Sequence, residues 1–154
     1  MNNIAVFAGS FSPFTKGHED IIRKALPLFD KIIIAIGQNY NKKDVFSVEQ
    51  RMNWIQTLYQ PNPKIEVLAY EGLTVDMCKK VGAGYLIRGV RNAADFQMEH
   101  EMYLINKQLA PDIDTVLIPA SPQLAAVSSS LVRELWQLKA DYTPFVSYKL
   151  PDIE

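Results

Sequence analysis

Short apolar runs rich in branched residues recur along the chain at Ile4 to Ala8, Lys31 to Ile36, Ile65 to Leu68, Tyr85 to Ile87 and Thr115 to Ile118. Each is brief and nearly continuous in apolar character, the pattern of strands covered on both faces. Between them the spacing becomes helical. In the clearest segment, His18 to Phe29, the residues Ile21, Ile22, Ala25, Leu26 and Phe29 share one face. Pro27 predicts a kink there, because a proline in a helix interior removes one backbone hydrogen bond at about 3 kcal/mol. Asn39 to Asp44 reads as a polar loop. A helix follows over about Ser47 to Leu58, opened by Ser47-Val48-Glu49-Gln50, a capping-box arrangement. Cys78 falls on a short helix, Ala94 to Leu109 forms a long one, and Val127-Ser128-Ser129-Ser130 opens another through Leu138. Thr143-Pro144 starts a last short helix over about 143–150.

Strand and helix alternate throughout, and regular crossover helices make the sheet parallel. The expected fold is α/β: a Rossmann-like, doubly wound five-stranded parallel sheet in a single domain spanning 1–154. No internal repeat or long linker marks a second domain.

Composition narrows the function. With 154 residues and 48% apolar content the chain can bury one core but not two ordinary ones. Sixteen basic against seventeen acidic residues leave a formal net charge of -1, so no global field favours nucleic acid or an anionic membrane. Any anion site must be a local cluster. One cysteine excludes an internal disulfide and a zinc-type Cys/His grouping, and Cys78 is expected to pack as a small apolar group. The opening apolar run is too short for a signal-peptide core, and no later run approaches a membrane span. The expectation is a cytoplasmic protein without nucleic-acid or membrane partners and without a metal held by its own side chains.

Candidate chemistry gathers where strands end, since ligands of open parallel sheets bind beyond the carboxyl ends of the strands. The first run leads into Gly9-Ser10-Phe11-Ser12-Pro13-Phe14-Thr15-Lys16-Gly17-His18, whose last residues begin a helix. Helix N-termini attract anions, and His18 at that terminus could donate a hydrogen bond to a phosphate oxygen. The alternative is a polar turn in which Thr15 caps the helix and His18 faces water. The glycine spacing fits neither G-x-G-x-x-G nor a Walker loop, which argues against a nicotinamide dehydrogenase and a Walker-type ATPase. Lys42-Lys43 follow the second run, and Arg88-Gly89-Val90-Arg91 end the fourth. Arginine forks suit bidentate phosphate contacts, whereas solvated surface charge is the other reading of the lysines. Asp95 and Glu99, one helical turn apart, could orient these arginines or touch a ribose; a solvated acidic face is the alternative for Asp95. Val127 to Ser130 offers a second helix N-terminus, either a phosphate cradle or a simple cap. Met98, Met102, Tyr103, Ile105 and Leu109 exceed one helical stripe, so that helix should be covered on more than one side. His100 reads as a surface residue, and Trp54 and Trp136 as core or subunit contacts.

Thr15-Lys16-Gly17-His18 matches the signature of the nucleotidyltransferase superfamily, a Ser or Thr, any residue, then Gly-His. Together with the whole first loop, Lys42, Ile87 to Arg91, Asp95-Phe96 and Val127 to Glu134, it makes nearly the entire chain resemble the bacterial phosphopantetheine adenylyltransferase family. That resemblance implies transfer of the adenylyl group of ATP to 4'-phosphopantetheine, giving dephospho-coenzyme A and pyrophosphate. It implies in-line attack without a covalent enzyme intermediate, Mg²⁺ bound mainly through ATP phosphates, feedback inhibition by coenzyme A, and a homohexamer of two trimers. It implies that His18 is catalytic and that Ser10, Lys42, Thr74 and Arg88 bind phosphopantetheine. Around ATP it implies Ser10, Phe11, His18, Gly89, Val90, Arg91, Glu99, Leu124, Ala125, Ala126, Val127, Ser128, Ser129 and Ser130. The chain departs from the commonest family pattern at Ser10, Ser12, Thr74, Met98 and Leu124, where threonine, aspartate, an aliphatic residue, tyrosine and tryptophan are usual. Two competing readings are a sister enzyme that adenylylates nicotinamide mononucleotide and a nucleotide-binding regulatory module without turnover.

Overall fold

The computed structural model describes residues 2–39 and 41–154. Strands β1 (Ile4–Gly9), β2 (Lys31–Gly37), β3 (Ile65–Tyr70), β4 (Tyr85–Val90) and β5 (Asp114–Pro119) form one sheet in the order β3-β2-β1-β4-β5, with every neighbouring pair parallel. Helices α1 (Lys16–Ala25), α2 (Val48–Tyr59), α3 (Thr74–Val81), α4 (Ala93–Leu109) and α5 (Ser129–Gln137) connect and cover it. The winding direction reverses between β1 and β4, which leaves a crevice above their carboxyl ends. All five expected strands are present, and β4 runs on through Arg88 and Gly89 to Val90.

Successive residues of β1 feed opposite faces. Ala5 and Phe7 pack with Ile21 and Ile22 of α1 and Ile55 of α2, while Val6 and Ala8 pack with Val75, Met77 and Cys78 of α3. The strands therefore read as continuous apolar runs because both faces are buried. Cys78 is fully buried, as its small apolar reading required.

Local signals mostly hold. Ser47 caps α2 through a reciprocal pair: the Gln50 N–H donates to Ser47 Oγ at 3.1 Å and the Ser47 N–H to Gln50 Oε1 at 2.9 Å. Pro27 does not kink a continuing helix. α1 ends at Ala25, and Leu26–Leu28 form a separate 3-10 turn with the proline at its start, where its missing N–H costs nothing. The helix expected over about 143–150 is likewise reduced to a 3-10 turn, Thr143–Phe145. Beyond it the chain gives up helical bonding for tertiary anchors. Val146 and Leu150 are buried against Phe46 and Val132, and Trp136 Nε1 donates to the Pro151 carbonyl at 2.7 Å. Trp54 and Trp136 flank Phe46 in this cluster, with ring centroids 5.2 and 4.9 Å from it. Among the described residues no helix is long and apolar enough to cross a membrane.

Candidate active site

The β1–α1 loop ends in a capping box built with a histidine. Thr15 is extended and buried; its Oγ1 accepts the His18 N–H at 3.3 Å, and His18 Nδ1 accepts the Thr15 N–H at 2.9 Å. Thr15 therefore does cap the helix, but His18 does not turn to water. Its ring stacks on Phe14 with centroids 5.1 Å apart and meets Phe11 edge-on at 5.0 Å. Because Nδ1 is occupied as an acceptor, the proton of the neutral ring resides on Nε2. Burial among these rings, reinforced by the positive charges of Arg88 and Arg91, pulls the His18 pKa down from 6.5 to about 3. The site thus holds a neutral imidazole donor at neutral pH.

His18 opens onto a cleft of about 360 Å³. The cleft is lined from β1 and its loop by Gly9, Ser10, Phe11 and Gly17, from the end of β4 by Arg88, Gly89, Val90 and Arg91, and from α4 by Asp95, Met98 and Glu99. Leu124, Val127, Ser128 and Ser129 close its far side. α1 can lie this near β4 because Gly89 has no side chain: a Cβ there would sit 3.0 Å from Ile21 Cγ1.

Both carboxylates of α4 serve the arginines. Arg88 donates to Glu99 through Nε at 2.9 Å and Nη2 at 2.8 Å, and through Nη1 to the Ala8 carbonyl at 2.6 Å. Asp95 accepts the Arg91 N–H at 3.0 Å and Arg91 Nε at 2.9 Å. The bonds from Arg91 outweigh partial burial and hold the Asp95 carboxyl below the usual carboxylate range. Asp95 is therefore not a solvated acidic face. Arg88 and Glu99 also line a second cavity, of about 310 Å³, with Thr74, Leu73, Met102 and Tyr103. Thr74 Oγ1 shares a hydrogen bond of 2.7 Å with Tyr70 Oη. One guanidinium thus stands between two cavities, one beside His18 and one more apolar.

Of the residues singled out in the sequence, Lys42, Ala125, Ala126 and Ser130 line neither cavity, and Lys42 is exposed. Ser128 caps α5, its Oγ accepting the Leu131 N–H at 3.1 Å, while it also borders the cleft. His100 is exposed.

The roles of four residues escaped the sequence reading, although Arg133 lies within the stretch Val127 to Glu134 noted there. Asp20, 7% exposed, accepts the Ser121 N–H at 3.0 Å and Ser121 Oγ at 3.1 Å, tying the segment after β5 to α1. Despite burial, bonds from Arg23, Ser121 and Lys24 hold its carboxyl well below the usual range. The other three hold carbonyls of the first loop: Arg51 that of Ser10, Arg133 that of Ser12 and Tyr148 that of Phe14. Their partners lie 41, 121 and 134 residues away, beyond the reach of any local pattern.

Residues 6–135 match the cytidylyltransferase-like family. The phosphopantetheine adenylyltransferase of Cytophaga hutchinsonii is 45% identical over 150 residues, covering 97% of this chain and all of that one. That of Leptospira biflexa is 43% identical over 153 residues, covering 99% of this chain and 93% of its own. Among solved structures, a bifunctional NMN adenylyltransferase/ADP ribose pyrophosphatase from Francisella tularensis shares the fold with a TM-score of 0.74 at 20% identity, over 98% of this chain and 46% of the other.

Proposed function

The chain belongs to the cytidylyltransferase-like family and, within it, to the phosphopantetheine adenylyltransferases, and on that premise we propose that it carries out their reaction through the His18 cleft. It transfers the adenylyl group of ATP to 4'-phosphopantetheine, giving dephospho-coenzyme A and pyrophosphate, the penultimate step of coenzyme A synthesis.

The observation that carries the mechanism is the neutral His18, with Nδ1 committed to Thr15 and Nε2–H left for the cleft beside Arg88 and Arg91. An oxygen of the acceptor phosphate attacks the α-phosphorus of ATP in line. The bond from that phosphorus to the bridging oxygen breaks, and its electron pair leaves with pyrophosphate. A phosphate monoester is already an adequate nucleophile, so the protein needs no covalent intermediate and acts by positioning and charge stabilisation. His18 Nε2–H donates to the α-phosphate oxygen on which charge grows.

ATP occupies the cleft against Ser10, Phe11, Gly89 to Arg91, Glu99 and the stretch from Leu124 to Ser130, of which Leu124, Val127, Ser128 and Ser129 line the cleft. The acceptor lies toward the second cavity, with Thr74 along its chain and Arg88 on its phosphate, while Lys42, exposed on the loop after β2, would reach that phosphate from outside both cavities. Arg88 retains N–H groups beyond those used on Glu99 and Ala8. Mg²⁺ would be held chiefly by ATP phosphates, where it offsets repulsion between anions. The chemistry of the cleft is compatible with that division, since its carboxylates Glu99 and Asp95 are already engaged by Arg88 and Arg91. Coenzyme A, which contains the acceptor's own chain, is the expected feedback inhibitor. The enzyme works in the cytoplasm and assembles as a homohexamer; the apolar side chains that α4 leaves exposed support its association with other copies.

The test is pyrophosphate release with ATP and magnesium, comparing 4'-phosphopantetheine with nicotinamide mononucleotide as acceptor. Release is expected with the former alone. His18→Ala should lower turnover by about two to three powers of ten, the scale of one lost transition-state donor. Near-normal turnover in that variant would remove His18 from the mechanism. Silence with both acceptors, alongside measurable ATP binding, would favour a regulatory module.

A further inference from the structure

We infer that Arg51 and Arg133 are positioning residues for this reaction: from two different helices they grip the carbonyls on either side of Phe11 and lock the β1–α1 loop in the shape that aims His18. The inference rests on the adenylyl-transfer reading above. Arg51, on α2, is 3% exposed. Its Nη1 donates to the Ser10 carbonyl at 2.6 Å, while its Nε bonds to the Ser47 carbonyl at 3.3 Å and Nη2 lies 3.5 Å from Asp44. Arg133, on α5, donates through Nη1 to the Ser12 carbonyl at 2.6 Å and through Nη2 to Ser130 Oγ at 3.2 Å. Ser129 Oγ adds a bond to the next carbonyl, that of Pro13, at 2.8 Å.

Between the two gripped carbonyls stands Phe11 with a φ of 47°, a left-handed conformation that a bulky side chain rarely adopts. Such a residue persists only where its surroundings over-determine it, and here a guanidinium anchors each side. The strain bears on the reacting group directly. The Phe11 ring is 3% exposed and packs against the rings of His18, Phe7 and Phe14, at 5.0, 5.1 and 5.1 Å between centroids. A shift of the Phe11 backbone must therefore move the ring that carries the proton. Neither guanidinium lines either cavity, so both act through the loop rather than on substrate. A buried guanidinium also incurs a desolvation cost that an apolar side chain of similar length would avoid, which marks the carbonyl it holds as the reason for its presence.

The chain contains two histidines, so the ring nitrogen signals of His18 can be followed by NMR beside those of His100 as an internal reference. Arg133→Met and Arg51→Lys are compared with the wild type at a temperature where circular dichroism reports all three as folded. Release of the loop should lower kcat about ten- to a hundredfold, with the KM for 4'-phosphopantetheine within about threefold of the wild type. The His18 signals should move and His18 should titrate closer to an ordinary histidine, with His100 unchanged. Arg51→Lys keeps the charge without the fork and should fall between the wild type and Arg133→Met. Unchanged kcat with wild-type His18 signals overturns the proposal, and so does a loss of activity that only tracks lost folded protein. A wild-type protein that releases no pyrophosphate overturns the assigned reaction instead, and the histidine spectra of the variants then decide the positioning role alone.

Discussion

At the scale of single residues, the sequence located His18 but not its condition. The tetrad Thr15-Lys16-Gly17-His18 marks the start of a helix, yet nothing local predicts that Nδ1 turns back onto the Thr15 N–H or that three phenylalanines close on the ring. That environment has a measurable consequence. The unfolded chain takes up a proton on this histidine near its ordinary pKa of 6.5, whereas the folded chain resists until about 3. The stability contributed by the neutral ring is therefore complete above pH 6.5 and is lost as the pH falls toward 3, at no more than about 1.4 kcal/mol per pH unit. Denaturant unfolding at pH 7.5, 5.5 and 4.5 should reveal that slope in the wild type and a shallower one in His18→Gln. Equal slopes would mean that His18 is not held neutral. Asp20 does not confuse the comparison, because its depressed carboxyl adds stability that is lost only below its ordinary value of 3.8.

Among the elements, those whose signals lie within a few residues were legible. Ser47 and Gln50 stand three apart, and the bonds they exchange are the ones that this spacing predicts. Pro27 announced a disturbance, but whether a helix bends or stops depends on what the following residues bury; here Phe29 enters the core and leads into β2. The C-terminal segment misled for a similar reason, since Val146, Tyr148 and Leu150 reach distant partners that a helix would forbid. The approach of α1 to β4 rests on Gly89, and a methyl group there must displace Ile21, which is itself 4% exposed. Gly89→Ala should destabilise the fold by about 1–3 kcal/mol through overpacking and lower turnover by moving His18 relative to Arg88 and Arg91. Gly84→Ala, whose new Cβ would meet nothing within 4 Å, is the control and should stay near the wild type. Thermal melts and pyrophosphate release on both variants check this, and equal behaviour of the two would show that the contact is compliant.

Among the described residues of the whole molecule, α4 is tied to the end of β4 through Glu99 and Asp95 yet leaves its apolar side chains open. α4 has no buried residue, and Phe96, Met98, Met102, Leu104, Ile105 and Leu109 are each about half exposed or more. An apolar surface of this kind on a single chain marks an interaction site. The proposed homohexamer would cover it, in keeping with the excess of apolar positions in the sequence of this helix. Ile105 and Leu109 line neither cavity, so Ile105→Glu with Leu109→Glu tests assembly without touching the cleft. Sedimentation velocity should give a hexamer for the wild type and smaller species for the double variant. Identical sedimentation of the two would remove this face from the interface.

The sequence by itself determined the kinds of element and their chemistry. Burial of a strand on both faces, the period of a helix face and the reach of a cap are all written within a few residues, so five parallel strands, the cap of α2 and the start of α1 near His18 could be read directly. Tertiary structure alone decided which of those pieces meet. The order β3-β2-β1-β4-β5 opens the crevice between β1 and β4 and brings His18 beside Arg88, and it gives Glu99 to Arg88 and Asp95 to Arg91. It also carries Arg51 and Arg133 onto the carbonyls of Ser10 and Ser12. These contacts join residues tens of positions apart, and their geometry follows from how the helices pack on the sheet rather than from any period along the chain.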